Sequence, residues 1–201
     1  MLKKIFDTEI FIKENINFDE VDIGTSFYKD LDNKLSMDCP HDPNSIGIIQ
    51  STLQHGINFF YLKDFSKLWK ILYPYFQEFA EHIIGHKRDI GIARIWSNRM
   101  LTGSQVTIHK HDTGVQKFSV DFVGIFYYST PENSSKFVLV DSRYEEAKRT
   151  TPLNNIPEKY KYEISVSKGM LLCHHKGDFH GMTEHLSLDP RISIIIELKI
   201  I

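Results

Sequence analysis

The sequence predicts a mainly β protein of the α+β class, a jelly roll or antiparallel sandwich preceded by a helical N-terminal elaboration. Two observations predict this fold. One strongly amphipathic segment lies before residue 88, and short segments rich in β-branched and aromatic residues, separated by turn residues, fill the chain after it. A chain of 201 residues is long enough for one well-buried domain and short for two. We therefore expect a single domain over 1–201, with the elaboration at 1–88 and the β core at 89–201.

The amphipathic segment covers about residues 66–84 and predicts the main helix. Its apolar residues recur at spacings of three and four, as in a helix that buries one face: Leu68, Trp69, Leu72, Phe76, Phe79, Ala80 and Ile83. Asp64 or Ser66 can cap its start, and Gly85 stands where a helix ends. Pro74 lies inside the pattern and predicts a kink or a break into two helices.

The segments after residue 88 are typical of β-strands. They predict strands at Ile90–Trp96, Gln105–His109, Val120–Tyr128, Lys136–Val140, Tyr162–Val166, Gly169–His174 and Ile192–Ile200. Because no helical pattern separates them, they indicate an antiparallel sandwich or jelly roll. Residues 8–12 alternate like one more strand ahead of the helix.

Charge and hydropathy exclude several classes of partner. Lys and Arg number 24 against 26 Asp and Glu, so the chain is not a basic domain that binds nucleic acid through phosphate contacts. No apolar run approaches the roughly 18–20 residues that span a bilayer, and the N-terminus is a poor signal peptide. The two cysteines, Cys39 and Cys173, are expected to be reduced thiols of a cytoplasmic protein. A small-molecule, peptide or protein substrate is the expected partner, and a homodimer is compatible with the sequence.

A His-x-His pair at a predicted strand end is the first candidate metal site. Residues 106–109 alternate like a strand, and side chains two residues apart share a face, so His109 and His111 point the same way. Two imidazoles placed in this way can bind one metal ion, and Asp112 follows as a nearby carboxylate. On this motif alone, ordinary polar residues at a protein surface are the competing interpretation.

A second group of histidines surrounds residue 180. The apolar segment 169–174 runs into a turn, and His180 opens the next segment. A third imidazole from another strand would complete a facial set of three ligands with open positions opposite, which suits Fe(II) that binds a cosubstrate and oxygen. We interpret the neighbouring His174, His175 and His185 as loop residues that take no part in the site.

The last predicted strand begins with a charge. Arg191 and Ser193 share one face of this strand, while the isoleucines between and after them share the other. A guanidinium on a barrel wall is costly to bury without an anion, and arginine suits a bidentate contact with a carboxylate. An ordinary ion pair with Asp141 or Glu197 is the alternative.

In their order and spacing, these three elements resemble the Fe(II)/2-oxoglutarate-dependent oxygenases. In that family a double-stranded β-helix presents a His-x-Asp/Glu…His triad to iron, and an Arg-x-Ser on a later strand binds the distal carboxylate of 2-oxoglutarate. Similarity to a small group of bacterial and phage members extends to further motifs: Ile95-Trp96-Ser97-Asn98, Val123-Gly124-Ile125-Phe126-Tyr127-Tyr128 and Asp141-Ser142-Arg143. The resemblance covers about half of the chain, between residues 90 and 200.

The resemblance implies a metal centre with an adjoining cosubstrate pocket. Fe(II) would be bound by His109, His111 and His180, and 2-oxoglutarate by Arg191 and Ser193, with further hydrogen bonds from Asn98 and Tyr127. The sequence departs from the family at His111, where the usual ligand is a carboxylate. We favour His111 as the ligand. Alternatively, Asp112 binds the metal, or water fills the position as in the related aspartyl/asparaginyl hydroxylases; Asp121 is a more remote candidate.

The function that follows is oxidation of an unidentified substrate, expected to be a hydroxylation, with release of succinate and CO2. Two other functions compete with it. One is a three-histidine cupin-type oxygenase that works without 2-oxoglutarate, and the other is a jelly-roll binding protein without redox chemistry. A zinc hydrolase is disfavoured because the sequence has no His-Glu-x-x-His motif.

Overall fold

Two antiparallel β-sheets and one long α-helix make up the fold in the computed structural model, which describes residues 1–22, 45–51, 64–111, 120–144 and 153–201. The elements in chain order are β1 (Leu2–Ile5), β2 (Thr8–Lys13), β3 (Ser45–Ile46), β4 (Ile49–Ser51), α1 (Phe65–Ile84), β5 (Ile90–Met100), β6 (Gln105–His109), β7 (Phe122–Ser129), β8 (Phe137–Val140), β9 (Lys161–Ile164), β10 (Leu171–His175), β11 (His180–Met182) and β12 (Arg191–Ile200). Two short 3-10 turns, Leu153–Asn155 and Glu158–Tyr160, precede β9.

The larger sheet has the strand order β1-β2-β10-β7-β12-β5-β4, and the smaller sheet has the order β3-β6-β11-β8-β9. Every strand pair is antiparallel. One apolar cluster lies between the two sheets and contains Trp96, Ile125 and Ile195 from the larger sheet and Phe137 and Leu139 from the smaller one. The mainly β prediction is confirmed.

A second apolar cluster lies on the opposite face of the larger sheet, where α1 packs. Strand β12 contributes to both clusters because its side chains alternate. Ile194 and Ile196 face the helix, while Ile195 faces the smaller sheet. Arg191 and Ser193 share the parity of Ile195 and are also buried, so β12 brings polar groups into the space between the sheets.

Helix α1 begins and ends within one residue of the prediction. Gly85 ends it with a φ of 83°, a left-handed conformation that glycine adopts without steric cost. Asp64 stands at the N-cap position, but its side chain makes no capping hydrogen bond; it accepts from the Asp22 N–H at 3.0 Å and pairs with Lys67 at 3.0 Å. The predicted break at Pro74 is wrong, because the helix runs through this residue as one element.

The N-terminal elaboration contains the predicted helix α1 and, as β2, the strand predicted at residues 8–12, together with further strands. Its described residues add β1, β2 and β4 to the edges of the larger sheet and β3 to the edge of the smaller one. Short strands such as β3 and β11 carry too few residues to produce a recognisable alternation, which is why the sequence did not indicate them. Cys173 is a buried free thiol, and Cys39 lies outside the described residues. No helix in the described part of the chain has the length and apolar character needed to cross a membrane.

Gly124 is required by the contact between α1 and β7. A Cβ at this position would lie 2.3 Å from Cε1 of Phe76, whose ring is fully buried in the helix-side cluster. We expect Gly124→Ala to lower the free energy of unfolding by about 1–3 kcal/mol, the usual cost of overpacking a core. Urea denaturation measures the difference. Gly91→Ala is the matched strand control, because its Cβ would meet only the side chain of the C-terminal Ile201; an equal loss in both variants would contradict the packing argument.

Candidate functional site

Three histidines meet in the space between the two sheets. His109 and His180 are register partners across the β6–β11 pair, and their ring centroids are 4.3 Å apart. The His111 ring lies 5.4 Å from that of His109 and 5.1 Å from that of His180. One nitrogen of each ring lies within 4.8 Å of one from each of the others, a grouping that can hold a metal ion. The structure thus brings together the three residues that the sequence suggested as ligands.

Backbone geometry explains how His111 reaches this cluster from just beyond the end of β6. Its N–H donates to the Lys176 carbonyl at 2.9 Å, which ties the chain after β6 to the turn between β10 and β11. The same turn leads directly into His180 at the start of β11. Asp112, the alternative ligand, lies outside the described residues. Asp121 does not join the cluster, because its carboxylate accepts the Ile200 N–H at 2.8 Å.

In each of the three rings, Nδ1 bonds an oxygen of the protein. The acceptors are the Thr107 carbonyl for His109 at 3.0 Å, Glu197 Oε1 for His111 at 2.6 Å, and the Asp178 carbonyl for His180 at 3.0 Å. Carbonyl and carboxylate oxygens only accept, so Nδ1 carries the proton and Nε2 is the atom with which each ring would bind a metal. Burial and the neighbouring histidines hold the pKa of His180 well below its usual range. An uncharged imidazole is the form that ligates a metal.

Glu197 connects this cluster to the half-buried Arg94 through an ion pair. Its carboxylate is fully buried, binds His111 through one oxygen and accepts from both Nε and Nη2 of Arg94. Burial alone would raise the pKa of Glu197, but the hydrogen bonds from His111 and Arg94 bring the pKa below its ordinary value. Glu197 is therefore an anion beside the histidine cluster. It was considered in the sequence only as a partner for Arg191, and that alternative is wrong.

A fourth histidine lies beside this cluster. His174 lies on β10, is fully buried, and has its ring centroid 4.4 Å from that of His180 and 6.1 Å from that of His111. Burial and the neighbouring His111 lower the pKa of His174 to about 3, so the ring is uncharged. Its interpretation as a loop residue was wrong. The alternation of side chains along the strand could have indicated its burial, since His174 shares the face of the buried Leu172.

The other two histidines of that segment differ from each other. His185 lies in a loop and takes no part in the histidine cluster, as interpreted from the sequence, but it is fully buried. Its Nδ1 accepts the Ser135 N–H at 3.3 Å and its Nε2 donates to the Asp189 carbonyl at 2.8 Å, which makes it a structural link between two loops. His175 is exposed, as expected.

Arg191 is a buried cation whose charge no carboxylate in the described residues balances. It is 2% exposed, and its Nη1 donates to Ser135 Oγ at 2.7 Å. Its Nε has no partner, although burial lowers the pKa only to about 10 and the side chain stays charged. The two acids considered from sequence bind elsewhere: Asp141 pairs with Arg143, and Glu197 with Arg94. Ser135 was the unrecognised partner, because only the tertiary fold brings its loop to Arg191.

Further unpaired polar atoms surround Arg191. Ser193 is in register with Asn98 on one side and with Tyr127 on the other. Among the described residues, Asn98 Oδ1 and the Tyr127 hydroxyl are buried without a hydrogen-bond partner. Burial raises the pKa of Tyr127 to about 12, so its hydroxyl keeps the proton and can donate it in a hydrogen bond. Buried polar atoms are costly unless they are paired, and their concentration beside an unbalanced cation fits a pocket for an anion.

The pocket and the histidine cluster share one inner face of β12. Glu197, bonded to His111, and Arg191 are the two ends of a row that also contains Ser193 and Ile195. At about 3.3 Å per residue, the row extends over about 20 Å of strand. Trp96, the register partner of Ile195, has its ring 5.9 Å from that of His111. The two features therefore lie on one face of the larger sheet, with the apolar side chains of Ile195 and Trp96 between them.

Comparisons with known proteins identify the fold. No protein-family model and no curated protein matches this chain. Solved structures do match. A prolyl-4-hydroxylase from Pseudomonas putida has a TM-score of 0.57 and 7% identity over 94% of this chain and 91% of that one. The non-haem α-ketoglutarate-dependent carbocyclase SnoK from nogalamycin biosynthesis has a TM-score of 0.61 and 12% identity over 94% and 79%.

HygX from Streptomyces hygroscopicus, solved with nickel and 2-oxoglutarate bound, has a TM-score of 0.54 and 13% identity over 94% of this chain and 81% of its own. At these identities the likeness concerns the fold. The resemblance to 2-oxoglutarate oxygenases that the sequence indicated is thus confirmed at the level of the fold.

The unbalanced charge of Arg191 predicts an effect on stability without any ligand. Arg191→Met removes a buried cation and keeps much of its apolar volume, so we expect the free energy of unfolding to rise by about 1 kcal/mol. Chemical denaturation of the ligand-free protein measures it. Arg94→Met is the control of opposite sign, since it leaves the buried Glu197 with His111 alone and should lower stability. Destabilisation by Arg191→Met would indicate that the guanidinium is balanced within the protein.

Proposed function

We propose that this protein is an Fe(II)- and 2-oxoglutarate-dependent dioxygenase built on a double-stranded β-helix of the jelly-roll type. The reaction would be hydroxylation of an unidentified small-molecule, peptide or protein substrate, with release of succinate and CO2, in the cytoplasm. The observation that carries the proposal is the buried Arg191, unbalanced within the described residues, on the same inner face of β12 that contacts the three-histidine cluster. A cosubstrate with one carboxylate for the arginine and chelating oxygens for a metal suits both.

The donor set fits Fe(II). Three imidazoles from His109, His111 and His180 converge, and the Nδ1 atom of each bonds an oxygen of the protein, which leaves Nε2 for a metal. Such nitrogen ligands suit Fe(II), and a three-ligand set leaves coordination positions for other groups. Glu197 adds a negative charge through His111, so a cation at the cluster would be favoured even though the ligand set holds no carboxylate.

The anion pocket fits the distal carboxylate of 2-oxoglutarate. Arg191 offers charge and the unpartnered Nε–H, and the Tyr127 hydroxyl is a protonated donor beside it. Ser193 lies between Asn98 and Tyr127 and would add a hydroxyl donor. HygX binds 2-oxoglutarate on the same fold, which supports this choice of ligand.

With both groups bound, the centre would supply oxidation by O2, in which one oxygen atom enters succinate as 2-oxoglutarate loses CO2 and the other oxidises the substrate. The residues of this chain bind and orient. Arg191 and Tyr127 would bind one end of the cosubstrate, and His109, His111 and His180 would hold the metal at its other end. Trp96, Ile125 and Ile195 form the apolar wall between these ends and keep water away from it.

A turnover assay with Fe(II), ascorbate and 2-oxoglutarate tests the proposal without knowledge of the substrate. Succinate formation in the absence of substrate is expected from the wild type. His180→Ala and Arg191→Ala should each reduce it at least about tenfold, because the first removes a metal ligand and the second the carboxylate partner. His175→Ala, which alters an exposed neighbour, should leave it unchanged. Wild-type succinate formation in Arg191→Ala would refute the cosubstrate assignment.

A three-histidine oxygenase without 2-oxoglutarate is the second candidate. It is favoured by one observation, that the described members of the cluster are all imidazoles. Oxygen consumption with a thiol substrate, without succinate and unaffected by Arg191→Ala, would support it. If neither Fe(II) nor 2-oxoglutarate binds the purified protein in calorimetry, the chain is instead a binding protein on the same scaffold.

Glu197 should control metal affinity without touching the metal. Glu197→Gln keeps the size of the side chain but removes the charge that orients His111, and we expect Fe(II) or Co(II) affinity to fall about 10- to 100-fold. Metal titration by calorimetry measures the change. Glu163→Gln is the control, because this carboxylate forms an exposed pair with Lys136 on the outer strand β9. Equal affinities in wild type and Glu197→Gln would show that His111 is not a ligand.

A further inference from the structure

The fourth histidine, His174, has no role in the proposed function, and its surroundings are those of a functional side chain. It lies on the inner face of β10, fully buried, with its ring 4.4 Å from that of His180. The Phe137 ring, 5.7 Å away, packs against both His174 and His180. The ring is thus held in one place directly beside a candidate metal ligand.

Hydrogen bonding defines what His174 presents to this space. Its Nδ1 lies 2.9 Å from the His175 carbonyl, and because a carbonyl only accepts, Nδ1 carries the proton. In the tautomer with this proton on Nδ1, Nε2 offers a lone pair. Among the described residues this Nε2 is buried without any hydrogen-bond partner. A buried acceptor of this kind is costly unless a donor reaches it.

The position of His174 argues against a fourth ligand. The nitrogens of His109, His111 and His180 all lie within 4.8 Å of one another, and His174 stands outside this group. Its ring is farther from His111, at 6.1 Å, than from His180. A lone pair at this place also cannot donate to a carboxylate oxygen. The remaining partner is a group that brings its own proton.

We infer that His174 is a positioning residue of the metal centre, whose Nε2 accepts a hydrogen bond from a protic ligand, a water molecule or hydroxyl group, bound to the metal that His109, His111 and His180 hold. The inference rests on the proposed function. It assigns one coordination position to water or to a hydroxyl and disfavours an aprotic anion there, since the anion would face the lone pair. His174 thereby directs where the carboxylate of a cosubstrate binds.

Competition between water and azide at Co(II) tests the inference without turnover. Co(II) takes the place of Fe(II), and its visible absorption reports both metal binding and replacement of water by azide. In His174→Phe the bound water loses its acceptor, so azide should bind about 3- to 10-fold more tightly, the equivalent of one hydrogen bond. Co(II) affinity should stay within about threefold of the wild type, whereas His180→Ala should lose it. His175→Phe is the matched control, expected to change neither quantity.

The outcomes are distinguishable. A loss of Co(II) affinity in His174→Phe as large as that in His180→Ala would make His174 a ligand and overturn the inference. Unchanged azide affinity in His174→Phe would show that His174 is only a packing residue, and this result would also overturn the inference. If the wild type binds no Co(II), the proposed metal centre itself fails. Circular dichroism checks folding of each variant, and His174→Leu repeats the comparison if His174→Phe does not fold.

Discussion

The alternation of strand β12 is the constraint on which the rest of the structure depends. This strand pairs with β5 and β7 in the middle of the larger sheet, so both of its faces are buried. Ile194 and Ile196 pack beneath the helix on one face. The other face brings Arg191 and Glu197 into the space between the sheets. A register shift of one residue would exchange these faces, placing charges under the helix and removing them from the site.

The polar groups on this inner face differ in how completely the protein itself supplies their hydrogen-bond partners. This difference distinguishes groups with a structural role from groups that await a ligand. Glu197 is satisfied within the protein by Arg94 and His111. Arg191 and His174, in contrast, each retain a buried nitrogen without a partner among the described residues. Unsatisfied groups of this kind lower stability and persist where a ligand completes them. The apolar clusters on both sides of the larger sheet provide the stability that tolerates them.

The sequence predicted what depends on local pattern and motif spacing. Helix α1 and most strands of the β core followed from periodicity, and the clustering of His109, His111 and His180 followed from their order along the chain. Contacts that depend on the register of distant strands were not predictable: Glu197 meets His111 because β12 and β6 face each other across the sheets, and Ser135 meets Arg191 through a loop. His174 was missed because it stands at the end of its predicted strand and was interpreted as a loop residue, although its parity with Leu172 indicated burial.

The charge of Glu197 bears on the departure from the family pattern at position 111. A carboxylate at this position would place a negative charge directly on the metal, and His111 cannot. Here the nearest carboxylate is that of Glu197, which bonds His111 and not the ligand position itself. It lies 2.6 Å from Nδ1 of His111, and Arg94 holds it in place. A carboxylate that accepts from the far nitrogen of an imidazole increases the basicity of the ligating one. The proposed centre would therefore keep an anionic component with three histidines, so a histidine in place of the carboxylate at position 111 does not by itself argue against iron chemistry.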